Sequence, residues 1–331
     1  MIRARGDEVA WFVQGMDTHQ LRADELHLQT LPDVLKYQPA AVFAPGNWVP
    51  DFFPGIKVEV FHGLANDQTG KRGHFRIRGL FDLYCTHAPE VTRQFQRLAS
   101  QYRTFAVTET GWPKLDPLFD QQKCLIDQHP DFRASLGSNR PVVLYSSTFS
   151  PSLTSAPALF NTIRALTRNG HYHWLITLHP KTPTNLVEQY QGLAGQNCTF
   201  IDSSFTVLPL LKSADAMLCD TSSIALEYML LDKPLVTFRT KAPGPHLINI
   251  TRPEEITPAL DRALTRPSDL QKAARHYIDG LHPYRDGQSS VRVLKAVDDF
   301  IQLNTQATLK RKPLNLWRKI KMRRAMNSFR W

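Results

Sequence analysis

The feature that most constrains the fold is an apolar run that stops dead. Tyr172 to Leu178 is almost wholly apolar and ends at His179-Pro180-Lys181. About forty residues on, Ala216 to Cys219 does the same, ending at Asp220-Thr221-Ser222-Ser223 before a helical pattern continues through Glu227. Short apolar runs alternating with helical stretches predict a parallel sheet with crossover helices. Polar groups at the carboxyl ends of such strands are where this sheet type presents a ligand.

The same rhythm recurs along the chain. In the first half, strands are expected at Glu8–Val13, Ala40–Phe43, Val58–Phe61, Phe81–Thr86 and Phe105–Thr108, with a helix over Pro89–Tyr102. In the second, strands are expected at Val142–Tyr145, Trp174–Leu178, Thr199–Ile201, Ala216–Cys219 and Leu235–Phe238. Helices are expected at Ala156–Arg168 and Asp286–Gln302. This divides the chain into an N-terminal domain over 1–118, a linker over 119–140, a second domain over 141–285, a helix over 286–309 and a tail over 310–331. A length of 331 residues suits two such domains.

Composition narrows the class. The four cysteines, Cys85, Cys124, Cys198 and Cys219, are widely spaced, which argues against a zinc site or disulfide framework. No run approaches the roughly 20 apolar residues of a membrane span, and the first residues do not read as a signal peptide. The net charge of +10 resides almost entirely in the tail. After Leu309 come nine basic residues and no acidic one: Lys310, Arg311, Lys312, Arg318, Lys319, Lys321, Arg323, Arg324 and Arg330. The remainder has 31 basic residues against 30 acidic, so a nucleic-acid-binding face is not expected. Trp317, Phe329 and Trp331 are interleaved with these cations, a combination suited to an anionic lipid surface.

Several strand ends carry reactive groups. Proline after His179 keeps that histidine extended at the sheet edge beside Lys181. Ser222-Ser223 at a helix start offers hydroxyls and free N–H groups to a phosphate, although a helix cap alone would account for one of them. Glu227 stands one turn on, where it can hold a sugar hydroxyl. His62-Gly63 follows the third strand; the imidazole can take a proton from an attacking hydroxyl, and the glycine admits a close ligand. Lys114, Asp116, Ser146 and Ser147 are further candidates for lining a cleft. No acidic metal cluster is evident, so neither a metal nor a cofactor is expected.

The order His62-Gly63, Gly111-Trp112-Pro113-Lys114-Leu115-Asp116, His179-Pro180, Asp220-Thr221-Ser222-Ser223 with Glu227, and Asp286-Gly287-Gln288-Ser289-Ser290-Val291-Arg292-Val293 resembles the CDP-glycerol glycerophosphotransferase family. The resemblance spans residues 40 to 300. Phe61 stands where the family has tryptophan, Trp112 where it has tyrosine, and Gln288 where it has lysine. The resemblance implies a GT-B fold, two Rossmann-like doubly wound domains facing a cleft. It implies transfer of glycerol phosphate from CDP-glycerol to a hydroxyl of a glycan or lipid-linked acceptor, with release of CMP, in teichoic-acid-like, capsule or lipopolysaccharide synthesis. His62 would be the general base. His179 and Lys181 would stabilise the diphosphate, Asp220, Thr221, Ser222 and Ser223 would bind the donor, and Glu227 would contact its ribose. The enzyme would work in the cytoplasm, on the inner face of the membrane. Two other classes share these features: a GT-B glycosyltransferase or UDP-sugar 2-epimerase using a nucleotide sugar, and a non-catalytic membrane-surface protein on the same scaffold.

Overall fold

The structure, a computed structural model, describes residues 1–13, 21–64, 73–119 and 132–328. Cys124 and the tail residues Phe329, Arg330 and Trp331 lie outside them. Two compact units emerge: Met1–Asp116 together with Leu281–Trp331, and Pro117–Gly280. The second is thus inserted into the first.

The first unit opens with a parallel pair, β1 (Ala10–Trp11) and β2 (Leu26–His27). A parallel four-stranded sheet follows, in the order β3 (Ala41–Ala44), β4 (Ile56–Glu59), β5 (Leu83–Thr86), β6 (Ala106–Glu109). Along β5 the side chains alternate between two cores, as a strand's period of two requires. Tyr84 joins Phe61, Phe81, Val91, Phe95 and Phe105 on one face, against the helix Pro89–Tyr102. That helix has proline at its start and ends where Arg103 turns left-handed, at φ +59°. Leu83 and Cys85 face the other way, onto Val293, Ala296, Val297 and Phe300. Those four recur at i, i+3, i+4 and i+7 along the helix Ser289–Gln302, the spacing of one buried stripe. Val293, Val297 and Phe300 each contribute about 1.5–3 kcal/mol when fully buried. The sheet is covered on both sides only because the chain returns after residue 280.

The second unit is one parallel sheet in the order β12 (Ile248–Ile250), β11 (Leu235–Phe238), β10 (Ala216–Cys219), β7 (Val142–Ser147), β8 (His173–Leu178), β9 (Cys198–Phe200). Strands β7, β8, β10 and β11 are buried throughout, which is why they read as continuous apolar runs. The chain runs outward from β7 to β9, then crosses back to β10 and continues to β12. The strand order therefore reverses between β7 and β10, and their carboxyl ends diverge into loops there.

The C-terminal residues depart from expectation. The sequence suggests a separate helix and a basic appendage; the structure builds both into the first unit. Met322 is 1% exposed and joins the core around Phe61 and Phe95. Met326 is buried with Val34 and Phe53. The charges are matched as well. Lys312 Nζ lies 2.5 Å from the buried Asp82 carboxylate and donates to the Leu80 carbonyl at 2.9 Å. Lys319 and Arg323 flank Asp51 at 3.4 and 3.6 Å, with Arg323 over the Phe52 ring. Arg318 donates to the Arg78 carbonyl. The buried Asp82 and the half-buried Asp51 carboxylates call for cations, and this segment supplies them. Lys312, Arg318, Lys319 and Arg323 are thus structural here. Lys310, Arg311, Trp317, Lys321 and Arg324 remain exposed.

Candidate active site

In the second unit the site grows from the point where β7 and β10 part. Asp220, directly after β10, is 1% exposed and fully engaged with the β7 loop. It accepts from Ser147 Oγ at 2.5 Å, from the Thr148 N–H at 3.0 Å, and from the N–H and Oγ of Ser155 at 2.8 and 3.0 Å. The sequence suggests Asp220 as a donor-binding group and Ser147 as a cleft residue. In the structure both brace the loop 147–155, because a buried carboxylate is stable only when its oxygens are satisfied. Ser146, within β7, is also buried.

The braced loop presents Phe149, which sequence reasoning missed. Its ring lies 4.3 Å from the His179 imidazole, centroid to centroid, and the Lys181 ammonium stands 5.3 Å from the same ring. His179 Nδ1 accepts the Lys181 N–H at 3.1 Å. That nitrogen therefore carries the lone pair, and in the neutral ring the proton sits on Nε2. Burial, and secondarily the charge of Lys181, hold the imidazole below its usual pKa, favouring this neutral donor form. No sequence signal short of the loop itself would have found Phe149.

Ser222 and Ser223 precede the helix Ile224–Met229. Ser223 stands at the cap position, yet its side chain makes no capping hydrogen bond. The Thr221 hydroxyl accepts from the Lys241 N–H at 3.2 Å, tying in the loop after β11. Glu227 is buried in the helix's first turn.

In the first unit, β4 runs out at Glu59, and the exposed His62 follows three residues later. His62 Nδ1 stands 2.8 Å from the Pro45 carbonyl oxygen. A carbonyl only accepts, so Nδ1 carries the proton, and in the neutral ring the lone pair falls on Nε2. Gly63 has open space where a side chain would stand. Lys114 is exposed, its ammonium 5.1 Å from the Trp112 ring.

Asp116, a suggested cleft residue, is buried and does other work. Its two oxygens accept the N–H groups of Ser289 and Ser290 at 2.9 and 2.6 Å, satisfying the start of the returning helix. Gly111 lets that helix approach: at φ +80°, a Cβ there would stand 2.5 Å from Ser289 Oγ. Next to it, His282 Nε2 accepts the Trp112 N–H at 3.0 Å, and burial pushes its pKa down to about 4. Among the described residues, no group of three or more His, Cys, Asp or Glu side chains is placed to hold a metal ion, and no helix is long and apolar enough to cross a membrane.

A family model described as CDP-Glycerol:Poly(glycerophosphate) glycerophosphotransferase matches residues 60–299. Among curated proteins no relative matches. Solved structures do. A variant of the wall teichoic acid polymerase TagF superposes with a TM-score of 0.66 at 15% identity, covering 92% of this chain and 84% of that one. The TagF variant soaked with CDPG for 30 minutes gives 0.63 at 17% identity, over 91% and 83%. The S. aureus MnaA–UDP co-structure gives 0.56 at 15% identity, over 87% and 86%. At these identities the likeness is one of fold.

Proposed function

The chain belongs to the CDP-glycerol:poly(glycerophosphate) glycerophosphotransferase family, and from that premise we propose that it moves glycerol phosphate from CDP-glycerol to an acceptor hydroxyl. The acceptor oxygen attacks the β-phosphorus, the bond from that phosphorus to the bridging oxygen breaks, and CMP departs. The observation that carries this reading is the pair of histidine tautomers. His62 has its lone pair on Nε2 and can receive the hydroxyl proton. His179 has its proton on Nε2 and can donate to the diphosphate as charge develops there, with Lys181 beside it. Ser222 and Ser223 hold phosphate oxygens and Glu227 the ribose. Protein groups supply this stabilisation, so a chelator should leave turnover unchanged.

The test is a donor screen: purified protein with CDP-glycerol, UDP-sugars and crude membrane lipid, scored for the nucleotide released. CMP from CDP-glycerol supports the proposal. UDP release or an epimerised UDP-sugar would move the protein to the nucleotide-sugar class.

The location of the acceptor is part of the proposal. Leu314, Leu316 and Trp317 are exposed, Trp317 at 79%, among the exposed cations Lys310, Arg311, Lys321 and Arg324. Each such cation near an anionic bilayer contributes about 1 kcal/mol. This face would hold the enzyme peripherally at the cytoplasmic side of the membrane, next to a glycan or lipid-linked acceptor. Trp317→Ala with Leu314→Ala should lower sedimentation with anionic liposomes; equal sedimentation of variant and wild type removes the face from the mechanism.

A further inference from the structure

The turn that delivers His62 is built from residues that each cost stability. Phe61 has φ +60°, in the left-handed region that a side chain with a Cβ disfavours. Its ring is nevertheless locked in the core, edge-on to Phe95 at 5.4 Å and to His87 at 5.8 Å. The backbone of this residue is gripped at both ends. Its N–H hydrogen-bonds back to the Glu59 carboxyl, and its carbonyl accepts from Trp112 Nε1 at 3.1 Å. Glu59 is itself 1% exposed, and its Oε2 has no hydrogen-bond partner. Leaving a buried polar atom unsatisfied destabilises the fold. Burial holds this acid up to about 8, so at neutral pH it is chiefly protonated and grips Phe61 as a neutral acid. A buried, half-satisfied acid beside a strained aromatic is a poor solution for packing alone. Such strain persists where the surroundings fix a functional geometry.

We propose that Glu59 and Trp112 are positioning residues for His62. Together they hold Phe61 in its left-handed turn. That turn keeps Nδ1–H on the Pro45 carbonyl and presents Nε2 to the acceptor hydroxyl. Neither residue touches substrate in this account. The inference rests on the reading of His62 as the base, and it predicts a defect in the chemical step with donor binding intact.

The test uses the full chain, with CMP release from CDP-glycerol and nitrogen NMR of histidine-labelled protein. Glu59→Leu should lower kcat roughly tenfold or more, the scale expected of a misplaced catalytic group, with donor KM within about twofold. Glu59→Gln keeps an oxygen for the Phe61 N–H and should stay within about threefold of wild type. Trp112→Phe should resemble Glu59→Leu. The double variant should fall little below the worse single one, because both loosen one turn. By NMR, wild-type His62 should show a single neutral tautomer protonated at Nδ1, and Glu59→Leu or Trp112→Phe a mixture. This readout does not depend on the reaction, so it judges the clamp even if His62→Ala remains active and the base assignment falls. A folded Glu59→Leu or Trp112→Phe with wild-type kcat and an unchanged His62 tautomer overturns the proposal. So does a Glu59→Gln that loses as much activity as Glu59→Leu. Should Glu59→Leu not fold, Trp112→Phe and Glu59→Gln decide alone.

Discussion

At the scale of single residues, the two histidines carry the sharpest expectations. His62→Ala and His179→Ala should each lower kcat by about 10²–10⁴ while circular dichroism stays native. Near wild-type turnover by either purified variant would remove that histidine from the mechanism. Ser222→Ala with Ser223→Ala should instead raise donor KM more than it lowers kcat, since the hydroxyls go but the backbone N–H groups stay. Calorimetry showing unchanged donor affinity would return both serines to a local role. The positions of His62 and His179 were legible because each follows an apolar run that ends abruptly. Their tautomers were not, because these depend on the Pro45 carbonyl and the turn to Lys181, which no spacing reveals. The partners of Asp116 and Asp220 were hidden for a related reason. An aspartate at a strand end reads the same whether its oxygens face a ligand or satisfy neighbouring N–H groups, and here they satisfy N–H groups.

At the scale of elements, the strands of the second sheet were read almost residue for residue, since burial on both faces makes them apolar throughout. The helix Leu31–Tyr37 and strand β12 were missed. The helix does carry a signal: Thr30 accepts from the Asp33 N–H and Asp33 in turn accepts from the Thr30 N–H, a reciprocal cap with Pro32 in the first turn. The junction between the 111–116 segment and the helix Ser289–Gln302 should show itself in pH dependence. His282 is held neutral, with a pKa near 4 in the folded state against 6.5 for a free histidine. The unfolded chain therefore binds the proton more readily. The stability contributed by His282 is complete above about pH 6.5, declines as pH falls through 6.5 to 4, and loses no more below that. The melting temperature should drop across that window, and His282→Asn should flatten this part of the profile. An identical profile for the variant would assign the acid sensitivity to other groups.

At the scale of the whole molecule, the unexpected result is the return of the chain to its first unit. Periodicity suggested a helix over 286–302, close to the observed Ser289–Gln302, but could not say which sheet it covers. The tail misled because its cations were read as one set; the structure divides them between internal carboxylates and exposed positions. Met322→Ala should therefore destabilise the first unit by about 2–5 kcal/mol in denaturant unfolding, as a core truncation does, whereas a loss under about 0.5 kcal/mol would show the helix to be loosely docked. The inserted arrangement also sets an order of events during synthesis. Residues 1–116 leave the ribosome without the helix that covers one face of their sheet and without Met322. At about 5–20 residues per second, they wait some ten seconds or more while the contiguous second unit is made. That unit has all its strands by residue 250 and can condense while its host is still unfinished. The nascent first sheet, with Val58 and Leu83 uncovered, is where chaperones would be expected to bind, and a message truncated after codon 281 would yield a chain whose second unit is whole and whose first can never close.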